Sequence, residues 1–88
     1  MIHYLDEPIP VEARLRSDGT PWPLAFFWQD RRYVIESWGR ERIETDDGQA
    51  IHRFLVQTPG PETWELAYHK KTAQWVLTRH WAAHYRIV

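Results

Sequence analysis

Eighty-eight residues with six Trp, four Tyr, three Phe and no Cys form one domain that carries neither a disulfide nor thiolate chemistry. The net charge of −1 argues against a protein that simply coats nucleic acid. No apolar run reaches the roughly 18–20 residues of a membrane helix, and the first residues lack the basic cap and hydrophobic core of a signal peptide, so a soluble, cytoplasmic protein with no membrane contact is expected.

A chain of this size buries only about 60–65% of the surface its unfolded form exposes, so its core must use large side chains. Taken in order, residues 1–9 mix Ile2, Tyr4, Leu5 and Ile9 with Asp6, Glu7 and Pro8. The prolines at 8 and 10 oppose a helix, which predicts an extended arm. Val11, Ala13 and Leu15 alternate with charged residues as a strand, closed by turn chemistry at Ser17-Asp18-Gly19-Thr20. Leu24, Phe26 and Trp28 then alternate along one run, Tyr33 and Ile35 along the next, with Gln29-Asp30-Arg31 between them as a hairpin turn. Trp38 breaks that parity, and Gly39 beside it predicts a bulge. Residues 40–49 are charged and close on Asp46-Asp47-Gly48, a hairpin-type turn.

Three further strands are predicted. His52, Phe54 and Val56 alternate over 51–58, and Thr58-Pro59-Gly60-Pro61-Glu62 is the clearest loop. Trp64, Leu66 and Tyr68 alternate over 63–69, Lys70-Lys71-Thr72-Ala73 turns the chain, and Trp75 and Leu77 continue the pattern over 74–81. The tail, 82–88, suits a helical turn or a strand equally. The sum is an all-β domain: an extended arm at 1–9, a β-sheet core at 10–81 built as a curved antiparallel meander of about six strands, and the tail. So many aromatic residues on one face predict that the sheet curls around them into a half-open barrel or roll.

The opposite parity is also apolar in part, through Ala25, Phe27, Val34, Leu55, Ala67 and Val76. A solvated face would carry Thr, Lys and Glu there. The N-terminal arm, the C-terminal tail or a second copy of the chain could cover it, and Phe27, Val34, Leu55 and Val76 are the candidate interface residues of a homodimer.

Sequence features that carry catalysis are missing. His80 and His84 have the i, i+4 spacing of a helical metal pair, but no Glu follows His80 and the segment is not clearly helical, so no metal site is expected. Asp46-Asp47 and Asp6-Glu7 are adjacent carboxylates that point apart in turns. There is no G-x-S-x-G and no Gly-rich phosphate loop. A non-catalytic binding protein without a cofactor is the expectation.

Charge is uneven. Residues 1–50 hold ten acids and six bases, while residues 51–88 hold two acids, five bases and four of the five His. Arginines and lysines interleaved with aromatic residues suit single-stranded nucleic acid, where bases stack on rings and cations track the backbone. The candidate contacts are Trp38, Arg40, Arg42, Arg53, Lys70, Lys71 and Arg79. Trp38 and Trp22 are chosen as the aromatics least committed to the core parity. The rival expectation is a protein-interaction or self-assembling module without nucleic-acid contact.

Several segments resemble a family. Pro8-Ile-Pro-Val-Glu12, Gly19-x-Pro21 and Phe26-x-Trp28-x-x-Arg31-x-Tyr33-x-Ile35-x-x-Trp38 are similar to the opening of a small bacterial domain of unknown function. That domain is found alone or at the C-terminal end of Y-family DNA-polymerase-like proteins of translesion repair. Arg53-Phe-Leu-Val-Gln-Thr58, Trp64-Glu-Leu66 and Gln74-Trp-Val-Leu-Thr-Arg79 resemble its later strands, so the likeness runs over roughly residues 8–81. Two features depart from it: Asp30 stands where the family usually has Gly, and His69 and His80-Trp81 stand where it tends to carry acids. The resemblance implies no activity. By association it implies a DNA-repair setting, with a repair protein or single-stranded nucleic acid as the partner.

Overall fold

In the structure, a computed structural model, residues 2–81 are described. The tail, with His84 and Tyr85, lies outside them. Among the described residues nine strands run in chain order: β1 Ile2–Pro8, β2 Val11–Leu15, β3 Pro21–Trp28, β4 Arg31–Val34, β5 Ser37–Trp38, β6 Arg42–Asp46, β7 Gln49–Thr58, β8 Glu62–His69 and β9 Gln74–Trp81. All pair antiparallel, as two sheets. The larger has the order β1-β9-β8-β7, with β5 and β6 both on the far edge of β7. The smaller is β2-β3-β4. The all-β roll is as expected, but it is built from more and shorter strands than the six read from alternation. The expected arm is itself a strand, and the charged stretch from 40 to 49 contains β6.

Hairpin geometry follows local chemistry. Gln29 (φ 51°) and Asp30 (φ 63°) are consecutive left-handed residues, as are Asp47 (φ 52°) and Gly48 (φ 78°). Two such residues make the turn whose twist matches that of the strands it joins.

The two sheets exchange the chain at two places, each within a single pair of neighbouring residues. The Ile9 amide donates to the Trp75 carbonyl in the large sheet, while the next residue, Pro10, accepts from Phe27 in the small one. Pro8 and Pro10 lack an N–H, so neither can donate to a ladder, and the chain leaves one sheet for the other between them. Likewise the Ile35 amide donates to Leu24 and the Glu36 amide to Gln57. Here the expected bulge near Trp38 is replaced by a change of sheet: β5 pairs with β7, and Trp38 lies opposite Val56.

Between the sheets lies the predicted core. Phe26, Phe54, Val56, Trp64, Leu66 and Leu77 are all but fully enclosed, with Ile9, Ile35 and Trp75 around them. Phe26 meets the Trp64 ring edge-on at 5.0 Å, and Trp64 Nε1 donates to Thr58 Oγ1 at 2.9 Å, so the indole brings no unpaired donor into the interior. Leu24 is the exception among the expected core residues, at 39% exposed. Glu12 pairs with Ala25 and Ala13 with Pro23, so Leu24 is the extra residue of a β-bulge and turns outward.

Nor is the second apolar stripe one surface. Phe27 and Val34 lie on the outer face of the small sheet, whereas Leu55 and Val76 lie on the outer face of the large one. Val76 is buried there, as is Ala67. The arm does not cover either face: it extends the large sheet edgewise, with Tyr4 opposite Arg79.

Candidate nucleic-acid interface

The outer face of the large sheet carries a charge network that alternation alone does not reveal. Its centre is Glu65 on β8, a carboxylate only 4% exposed. A bulge in β9 creates its cradle. Leu66 pairs with Leu77 but Glu65 pairs with Arg79, so Thr78 is the extra residue and two consecutive side chains serve one carboxylate. Thr78 Oγ1 donates to Glu65 Oε1 at 2.6 Å, while Arg79 donates through Nε (3.1 Å) and Nη2 (3.0 Å) to the two oxygens. Arg42 reaches Glu65 at 3.3 Å and Arg53 at 3.7 Å. Burial by itself raises the Glu65 pKa, but the hydrogen bonds from Thr78 and Arg79 outweigh it and hold the group below its usual range. The same contact raises the Arg79 pKa. On β6, Glu44 accepts from Arg53 Nε at 2.8 Å and lies 3.4 Å from Arg42.

The long side chains leave a trough between them. Arg40, Arg42, Arg53 and Arg79 line about 380 Å³ of it, with Leu55 and Trp81. It shares Arg42, Arg53, Glu65 and Arg79 with a second hollow of about 550 Å³ that extends to Tyr4 and Thr78. Four guanidinium groups therefore face two carboxylates, Glu44 and Glu65. Arg40 makes no ion pair among the described residues.

Of the candidate contacts, Arg40, Arg42, Arg53 and Arg79 are thus gathered at one place. The other three are not. Trp38 is turned into the roll, where its Nε1 donates to the Pro23 carbonyl at 2.8 Å and its ring lies 5.6 Å from that of Trp22. Trp22 in turn meets Phe54 edge-on. The change of sheet after Ile35 turns Trp38 inward, and Trp22, within β3, packs between it and Phe54. Lys70 and Lys71 sit in the β8–β9 turn and do not line the trough. Trp81 lines the trough and Tyr4 lines the adjoining hollow, and neither was among the candidate contacts read from sequence. The available signal was weak: each ends or begins the chain's regular alternation, and they share a face only because β1 pairs with β9.

His80 is a strand residue rather than half of a helical pair. Its ring stacks on Trp64 at 3.8 Å, and its Nε2 lies 2.8 Å from Glu62 Oε1. Among the described residues no group of three or more His, Cys, Asp or Glu is arranged to hold a metal ion. A further hollow of about 660 Å³ is an open groove between the Glu7–Pro10 segment and the β3–β4 turn, and its charged side chains are the Glu7 and Asp30 carboxylates. No helix is long and apolar enough to cross a membrane among the described residues. No protein-family model, curated protein or solved structure matches the chain.

Proposed function

We propose that this chain is a non-catalytic binding module whose partner is nucleic acid, held on the outer face of the large sheet, and that it works as an accessory in DNA metabolism. The observation that carries this reading is the convergence of Arg40, Arg42, Arg53 and Arg79, drawn from β7, β9 and the β5–β6 segment, on one trough with a surplus of positive charge. The link to DNA repair is supported by the sequence resemblance alone. A labelled oligonucleotide followed by fluorescence anisotropy tests the binding. For two phosphates neutralised on a single strand, affinity falls roughly sevenfold between about 50 and 200 mM salt. Arg40→Ala combined with Arg42→Ala lowers the salt slope by about 1.4. An oligonucleotide that stays unbound at low salt refutes the proposal.

Phe27 and Val34 favour a second reading, a protein-interaction or homodimerisation module. Both are exposed apolar side chains on the outer face of the small sheet, flanking the buried Ala25. Sedimentation over a dilution series decides it: a species that remains a monomer at the highest concentration excludes the dimer.

A further inference from the structure

Tyr4 is an aromatic residue with no role in folding that its position explains. It is 74% exposed, on the outer face of an edge strand, directly opposite Arg79. Directly paired residues share a face, and the Arg79 side of β9 is the trough side. Trp81 lies two residues further along β9, opposite Ile2, and its ring lines the trough with the Arg79 guanidinium carbon 5.5 Å from the ring centroid. Tyr4 and Trp81 are therefore diagonal neighbours on adjacent strands, with backbone positions about 7–8 Å apart. The arginine beside them is not free to move: Glu65 holds it through two hydrogen bonds, which fixes the platform on which Trp81 rests.

The arginines divide into two kinds. Arg53 and Arg79 already donate to carboxylates at 2.8–3.1 Å through their Nε atoms. Arg42 has only longer contacts, 3.3 and 3.4 Å, and its side chain is 53% exposed. Arg40 has none among the described residues. Arg40 and Arg42 therefore have donors to give to an incoming phosphate, while Arg53 and Arg79 act as positioning residues.

Taking the nucleic-acid reading as its basis, we infer that the trough selects unpaired, single-stranded nucleic acid, stacking bases on Tyr4 and Trp81 and placing the adjacent phosphates on Arg40 and Arg42. Rings on an open sheet face reach the flat sides of bases only where those bases are not already stacked in a duplex.

Three labelled probes separate the possibilities: a short oligothymidylate, a hairpin duplex of similar charge, and heparin as a polyanion without bases. The intact chain binds the single strand more tightly than the duplex. Tyr4→Ala and Trp81→Leu each weaken the single strand roughly tenfold and leave heparin within about twofold, whereas Trp81→Phe, which keeps a ring, restores most of the loss. Arg40→Ala with Arg42→Ala weakens all three probes. Tyr4 is so exposed that its replacement leaves the melting temperature unchanged, which keeps the test valid even where a Trp81 variant is unstable. If single strand and duplex bind equally and Tyr4→Ala changes nothing, while the arginine variant still weakens both, stacking selectivity is overturned and nucleic-acid binding stands. If no probe binds at low salt, both fall together.

Discussion

The two faces of the large sheet are made by the same alternation, yet they are held by different physics. Phe54, Trp64 and Leu66 point inward to a dry interior where volume and shape decide stability. Their neighbours Arg53 and Glu65 point outward, one residue away along the same strands, and Glu65 is almost as enclosed as Trp64. The inner face excludes water by filling space. The outer face excludes it by covering a carboxylate with arginine stems, so its worth depends on each charge keeping a partner. Burial is thus no guide to the kind of interaction, and the faces should respond differently to substitution, pH and salt.

The widest separation comes from Trp64→Ala. Its ring touches Phe26, Trp28, Tyr33 and His80, contributed by β3, β4 and β9, so the void cannot close without moving both sheets. The expected loss is about 3–5 kcal/mol, a large share of the roughly 5–15 kcal/mol available to a domain, and a urea melt will show it with little dependence on pH or salt.

Glu65→Gln is the matching change on the outer face. It preserves shape but leaves Arg79, Arg53 and Arg42 without the charge they converge on. The expected cost is about 2–3 kcal/mol, less than for a fully enclosed pair because the arginines reach solvent. Its signature is acid dependence. Arg16 holds Glu41 below its usual pKa, as Thr78 and Arg79 hold Glu65. A carboxylate whose folded pKa is depressed contributes stability above its unfolded value, here near 4.5, and that contribution is lost as pH falls through the folded value. Urea melts between pH 7 and pH 3 should therefore show a steep acid decline in the parent protein and a shallower one in Glu65→Gln. An equal slope in both would erase the distinction between the faces.

How much of this was legible in the sequence follows from the range over which each feature is determined. Period-two alternation is local, so Phe26, Trp64, Trp75 and Leu77 were assigned to the core correctly, as was the Asp47-Gly48 turn. Leu24 was misassigned because one bulge residue reverses parity, and the only local hint was Pro23 beside it, which cannot donate to a ladder. Trp38 was taken as a spare ring because alternation says nothing about a chain that moves from one sheet to another, and Trp22 because its ring partners, Trp38 and Phe54, lie far along the chain. The Glu65 network was invisible for the same reason: its partners come from residues 42, 53 and 79, and the bulge at Thr78 that brings two donors to one carboxylate has no sequence mark. Tyr4 was read as part of an extended arm, since its neighbour Arg79 lies at the other end of the chain. Arginine clustering was anticipated at the level of composition, but only register shows that Lys70 and Lys71 stand apart from it.

The finest test of the comparison uses a pair with the same chemistry in a different setting. Arg32 and Glu12 meet on the outer face of the small sheet through two hydrogen bonds, at 2.9 and 2.7 Å, geometry as good as that of Arg79 and Glu65. The difference is water: the Arg32 and Glu12 side chains are 49% and 45% exposed. High-dielectric screening and the entropy of holding two long side chains offset most of the attraction there, and neither charge is stranded when the other is removed. Arg32→Ala should consequently leave the urea midpoint indistinguishable from that of the parent at moderate salt, with any difference fading as salt is added. A loss comparable to that of Glu65→Gln would mean that hydrogen-bond geometry, rather than enclosure, sets the worth of an ion pair in this protein, and the outer face of the large sheet would then hold no special place.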